Sequence, residues 1–127
     1  MQKPHKQLRA WQLAMDLAQT VYQTTNTFPA DERFGLTSQM RRCAVSIASN
    51  IAEGAGRQTP KEFIQFLHIA QGSLSELDTQ LELAHKFGYL AQESWQTIDA
   101  MLEEEDKILS GLIRAKKATV KALSPNA

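Results

Sequence analysis

The nearest approach to a chemical site in this sequence is Glu82-Leu83-Ala84-His85, with Asp78 one helical turn earlier. A carboxylate and an imidazole three residues apart share a helix face, and Glu-x-x-His is the unit from which dinuclear metal centres in helix bundles are built. Such a centre needs the unit on two helices and a further Glu from each of the other two. Neither His5 nor His68 has a Glu three residues before it. The stoichiometry therefore predicts a solvated acidic and histidine face, with no metal or other cofactor. Ser46, Ser73 and Ser75 have no nearby His and carboxylate pair in sequence, so no activated nucleophile is expected. Gly54-Ala55-Gly56 is followed by no Gly-Lys-Ser/Thr and is not a phosphate loop. The residues predict no enzyme and no small-molecule substrate.

Charge offers a second kind of chemistry. The net charge is zero, yet residues 1–61 carry eight Lys and Arg against four Asp and Glu, while residues 62–127 carry six against ten. Such asymmetry can draw nucleic acid to one face or let unlike surfaces pair between subunits. The candidate phosphate contacts are Arg41, Arg42, Arg57 and Lys61, joined by Lys3, Lys6 and Arg9. Only Arg41 and Arg42 adjoin, and no interleaving of aromatic with basic residues is read here for base stacking. The run Glu103-Glu104-Glu105-Asp106 is a solvated face except at Glu105, which shares a stripe with Ile98, Met101, Ile108 and Leu112. A carboxylate on a partly apolar side asks for a cation, and the expectation is an intersubunit pair with a basic residue of the N-terminal half.

The elements that must carry these residues are helices. At 127 residues, 43% hydrophobic and 22% charged, the chain suits one core and lies away from the composition of disorder. Its lone Cys43, set among apolar residues, reads as a small buried hydrophobe in a reducing compartment. The first thirty residues show no signal-peptide core, and no stretch of about 18 apolar residues could anchor in a membrane. A cytoplasmic protein is expected.

Helix 1, about 7–26, follows Leu8, Trp11, Met15, Ala18 and Tyr22, flanked by Ala14, Leu17 and Val21, and ends before Phe28-Pro29. Helix 2, about 36–54, follows Leu36, Met40, Cys43, Ile47 and Ile51, with Gly54 and Gly56 expected to end it in the left-handed conformation that glycine adopts without strain. Thr59-Pro60-Lys61-Glu62 is a capping box with proline at the first helical position. Helix 3, about 60–87, carries the seam Phe63, Leu67, Ala70, Leu74, Leu77, Leu81 and Ala84, and Gly88 closes it. Helix 4, about 92–121, carries Trp95, Ile98, Leu102, Leu109, Leu112 and Ile113, and residues 122–127 form a frayed tail. Short connectors make the fold all-α, an antiparallel up-down four-helix bundle in a single domain spanning 1–127.

Helix 3 opens with Phe63, Ile64, Phe66, Leu67, Ile69 and Ala70. At about 100° per residue these cover an arc of roughly 220°, wider than one bundle core needs. The surplus predicts a homo-oligomer interface of Phe63, Ile64, Phe66, Ile69 and Gly72, the last a notch that admits another backbone, with Glu105 as its ionic contact.

Several segments resemble the four-helix bundle proteins known as 23S rRNA-intervening sequence proteins. They are Phe28-Pro29-Ala30-Asp31-Glu32-Arg33-Phe34-Gly35-Leu36, then Ser46-Ile47-Ala48-Ser49-Asn50-Ile51-Ala52-Glu53-Gly54, Glu62-Phe63, Gly72-Ser73-Leu74 and Gly88-Tyr89-Leu90. The likeness covers about residues 8–113. It implies a ring-like homopentamer, and kinship with the pentameric accessory variability determinant of diversity-generating retroelements, which associates with a reverse transcriptase and nucleic acid. That relative is strongly basic, whereas this chain is neutral. RNA or a nucleic-acid-processing protein, engaged through Arg41, Arg42 and Arg57, is one candidate partner, and a purely protein-binding assembly module is the alternative. The recurrent Ser46, Asn50, Glu53 and Gly54 read as a structural polar motif, with Asn50 and Glu53 serving the backbone of the glycine turn or pairing across a subunit boundary.

Overall fold

The computed structural model describes residues 1–123. Four helices account for most of it: α1 (Arg9–Thr25), α2 (Leu36–Ala55), α3 (Pro60–Lys86) and α4 (Gln92–Leu123). Short 3₁₀ turns at Pro4–Gln7 and Ala30–Glu32 precede α1 and α2. Every boundary lies within about two residues of the sequence reading. At the C-terminal end α4 runs to Leu123, through positions expected to fray, and the rest of that expected tail, 124–127, lies outside the described residues.

Local chemistry explains where the helices stop. Thr59 Oγ1 accepts the Glu62 backbone N–H at 3.2 Å and donates to Glu62 Oε1 at 3.1 Å, the capping box that starts α3. At the other end Gly88 has φ +75°, the Gly88 N–H donates to the His85 carbonyl at 3.1 Å and the Tyr89 N–H to the Ala84 carbonyl at 3.0 Å. This pair of bonds is the Schellman arrangement, which absorbs carbonyls that the helix end would leave unpaired. Gly54 and Gly56 behave differently from expectation. Gly88 is the one glycine at positive φ, Gly54 lies inside α2, and Gly56 has φ −86°. What requires glycine at 54 is distance. A Cβ there would stand 2.7 Å from Phe66 Cβ and 3.3 Å from the Phe63 carbonyl oxygen, so α2 and α3 could not approach as they do.

Each helix lies beside its two neighbours in the order α1, α2, α3, α4 and back to α1, and among the described residues the backbones of the diagonal pairs stay more than 8 Å apart. The full α3 seam is buried, as are Met40, Ala44, Ile47 and Ile51 of α2 and Ile98, Leu102, Leu109 and Ile113 of α4. Enclosing side chains such as Leu17, Leu67, Leu77 and Leu81 contributes about 1.5–3 kcal/mol each. The α1 reading needs correction. Its core face is Ala10, Leu13, Ala14, Leu17 and Val21, while Met15 and Tyr22 are 46% and 44% exposed. The helix is turned by roughly 100° from the expected stripe. Ala10 and Ala14 on this face and Ala44 and Ala48 on α2 are buried members of the same core.

The connectors are pinned to the ends. Tyr89 donates to Glu32 Oε2 at 2.8 Å and its ring lies 5.5 Å from that of Phe28, so the α1–α2 and α3–α4 connectors meet at one end. Glu32 Oε1 also accepts the Leu36 N–H at 3.2 Å, and the hydrogen bond to Glu32 is the first cause pushing the Tyr89 phenol up. No helix of the described residues is long and apolar enough to cross a membrane.

Candidate functional site

The Glu82 and His85 pair organises an aromatic contact. Glu82 accepts the Trp95 indole N–H at 3.2 Å, and the His85 ring stacks on Trp95 at 4.6 Å while bonding Gln92 at 3.0 Å. His68 is on the surface. The donors that do converge are Asp78, Glu82 and Asp99, whose carboxylate oxygens lie within 4.8 Å of one another. As an oxygen-only set they could hold a hard cation. Burial first, then the neighbouring Glu82 and Asp99 charges, pushes the Asp78 carboxyl up, the mark of like charges crowded together.

Cys43 is buried, donates to Glu76 Oε2 at 2.8 Å and receives the Gln80 amide at 3.5 Å. Burial and Glu76 push its thiol up to about 11, so the thiolate a nucleophile needs is scarce at neutral pH. Nearby, the polar motif joins two helices. Asn50 Nδ2 donates to the Ser46 carbonyl at 2.8 Å and to Ser46 Oγ at 3.0 Å, and Ser46 Oγ bonds Ser73 Oγ at 2.9 Å. Asn50 therefore reaches back one turn rather than forward to the glycines. Glu53 pairs with Arg57 of its own chain at 2.9 Å.

The apolar opening of α3 divides. Phe63 is 8% exposed and belongs to its own core, under Lys116. Ile64 and Phe66 are half-buried, Ile69 is 51% exposed, and Gly72 faces open space. Glu105 is also enclosed by its own chain, fully buried in the α4 seam between Leu102 and Leu109. Neither it nor Phe63 can serve as a surface contact, which corrects the sequence reading for both. Both Glu105 carboxyl oxygens lack a hydrogen-bond partner among the described residues, because Arg9 pairs instead with the exposed Glu104 at 3.0 Å. Burial pushes the Glu105 carboxyl up to about 8, against the pull of Arg9 and with Glu104 adding to the rise.

The basic candidates divide as well. Arg41 donates from Nε to Thr25 Oγ1 at 2.9 Å and from its terminal nitrogen to the Tyr22 carbonyl and Asn26 Oδ1, and it lies 4.6 Å above the Tyr22 ring. It clasps the start of α2 to the end of α1. Arg57 covers the Phe66 ring at 4.7 Å besides pairing with Glu53. Arg42 and Lys61 are exposed. What sequence reading missed is an open groove of about 510 Å³ on the outer face of α1 and α2, lined by Tyr22, Arg33, Phe34, Arg41, Arg42 and Val45. Phe34 is 89% exposed, with Arg33 5.6 Å from its ring centroid. Basic and aromatic side chains do interleave here, through three segments that only the fold brings together. The adjacent Arg33-Phe34 was the available signal in the sequence.

The model of the 23S rRNA-intervening sequence protein family matches residues 6–111. No curated protein matches the sequence. Among solved structures the chain is similar to a protein of unknown function from the S23 ribosomal protein family of Bacteroides thetaiotaomicron. The two share 25% identity at a TM-score of 0.74, over 82% of this chain and 97% of that one. The family match covers most of α1 through α4, including the Ser46, Asn50 and Gly54 motif that ties α2 to α3. This chain belongs to the 23S rRNA-intervening sequence protein family.

Proposed function

We propose that this protein is a non-catalytic scaffold, an antiparallel up-down bundle that assembles with copies of itself into a closed homo-oligomer, the pentamer implied by the family resemblance. The observation that carries this is the amount of large apolar surface left in water. Phe34 is 89% exposed, Phe87 55%, Ile69 51%, Met15 46%, Tyr22 44% and Val45 43%. Several of these adjoin on one face, and contiguous patches of this kind mark partner surfaces. Of the two versions of the scaffold, the protein-assembly version is favoured. Arg41, Arg57, Lys6 and Arg9 are held by contacts within the chain, which leaves Arg42, Lys61 and Lys3 of the phosphate-binding set without a partner among the described residues.

The test is the mass in solution at protein concentrations from about 1 to 100 µM, a range in which a specific assembly of useful affinity persists. A particle of several times 14.2 kDa is expected, and a 14.2 kDa species throughout would overturn the reading. Retention on RNA at low salt, lost steeply as salt rises, would restore the nucleic-acid version.

A further inference from the structure

The basic and aromatic groove on α1 and α2 has a counterpart. On the opposite side of the four-helix ring, α3 and α4 form a second groove of about 340 Å³ lined by Leu74, Ser75, Asp78, Asp99, Leu102, Glu103 and Asp106. Glu82 extends it. None of these five carboxylates has a salt bridge among the described residues, and neither do Arg33, Arg41 and Arg42 across the molecule. One surface thus holds three guanidinium groups with exposed Phe34, Tyr22 and Val45, and the other holds crowded carboxylates with leucines at its base.

The two grooves overlap in part along the bundle axis, Arg42 and Val45 on one side standing level with Asp78 and Asp99 on the other, while Phe34 lies nearer the connector end and Glu103 and Asp106 farther from it. Arg41 and Arg42 stand five and six residues into α2 from the end where Tyr89 meets Glu32, and Asp78 and Asp99 stand eight and seven residues from that same end on α3 and α4. At about 1.5 Å per residue these offsets agree to within roughly 5 Å.

We infer that the α1–α2 groove receives the α3–α4 acidic groove of a second copy of this chain, in a head-to-tail contact between unlike faces. The inference rests on the self-assembly proposed above and specifies its interface. Unlike faces on opposite sides of a protomer leave each copy with one further face to offer, so the contact propagates. Such a contact closes into a ring where successive copies are rotated by a whole fraction of a turn about one axis, and otherwise continues as an open array. Phe34 is the apolar anchor, and Arg33 and Arg42 supply charge that relieves the crowding of Asp78, Asp99, Glu103 and Asp106. Charge complementarity of this kind fixes register and excludes the face-to-like-face alternative.

The experiment uses two full-length variants, each blunting one groove. Phe34→Ala with Arg42→Ala removes the basic face, and Glu103→Arg with Asp106→Arg reverses the acidic one. All four side chains are exposed and lack hydrogen bonds among the described residues, so helical content and thermal midpoint check that each variant folds. Each alone is expected to be monomeric or to dissociate at a concentration at least tenfold higher than wild type. Mixed in equal amounts, they are expected to form a one-to-one dimer and nothing larger, because one intact face remains on each. Arg42→Gln and Asp106→Asn supply the milder readout, a reduced salt dependence of assembly, should a charge reversal fail to fold.

Wild-type mass in either double variant overturns the head-to-tail interface while leaving self-assembly standing. Absence of the mixed dimer also overturns it, whereas a monomeric wild type overturns self-assembly itself. Loss of RNA retention on blunting the basic groove, with mass unchanged, would assign that groove to nucleic acid and overturn the inference.

Discussion

Glu105 is a carboxyl enclosed among α4 seam residues with neither oxygen bonded among the described residues, and its pKa is pushed from an ordinary 4.5 up to about 8. Between those values the unfolded chain has released a proton that the folded chain retains. Stability therefore falls as pH rises from about 4.5 to about 8 and stays at the lower level above that. Glu105→Gln keeps the shape and removes the ionisation. Its unfolding free energy in urea is expected to match wild type near pH 4.5 and to exceed it by on the order of 2–4 kcal/mol at about pH 9. Equal pH profiles for the two proteins would show that the carboxyl is hydrated in solution. Gly54 makes the opposite demand, for absence of a side chain. Gly54→Ala places a Cβ 2.7 Å from Phe66 Cβ and 3.3 Å from a backbone oxygen, so α3 itself must move. A loss of about 1–3 kcal/mol is expected by denaturation, and an unchanged midpoint would mean that the helices separate freely.

At the scale of the element, α3 is set at its start by Thr59 and Glu62 and tied mid-length to α2 through Ser73 and Ser46. Thr59→Ala removes an N-cap acceptor and is expected to lower stability by about 1 kcal/mol, while Thr59→Ser restores most of it. A neutral Thr59→Ala would place the start of α3 under tertiary control. The Ser46 and Ser73 contact is better read by a double-mutant cycle. If Asn50, Ser46 and Ser73 act as one network, the Ser46→Ala and Ser73→Ala effects will be less than additive by about 0.5–1 kcal/mol. Additive effects would mean that each hydroxyl bonds water in solution.

For the whole molecule the governing feature is an exposed apolar and basic face on one side and an acidic face on the other. Phe34 separates folding from assembly, because at 89% exposure it does little for its own chain. Phe34→Ala is expected to change unfolding stability of the isolated chain by no more than about 0.5 kcal/mol. The same substitution is expected to weaken self-association by about 1 kcal/mol or more, as loss of an aromatic anchor does. Comparing thermal midpoints with sedimentation over a dilution series reads both quantities. A destabilised fold with unaltered mass would make Phe34 an anchor of its own bundle instead.

Fold class and helix limits were legible in the chain because their signals are local. The capping box at Thr59, the left-handed glycine at 88 and the three- and four-residue spacing of the α3 seam act within one helical turn of themselves. The α1 face was not legible. Apolar residues span about 200° of that helix, wider than one core face, and only the packing of the whole bundle decided that Met15 and Tyr22 turn outward. The burial of Glu105 was half legible, since it fills the gap in the steps from Leu102 to Leu109, but a carboxylate is an improbable occupant of a seam on transfer energies alone. The Glu53 and Arg57 pair follows from four-residue spacing, whereas the commitment of Arg41, the contact of Arg57 with Phe66 and the meeting of Tyr22, Arg33, Phe34 and Arg42 depended on tertiary structure. Charge and exposure are properties of surfaces, and a surface joins residues from separate helices whose relative rotation is set only once the core has packed.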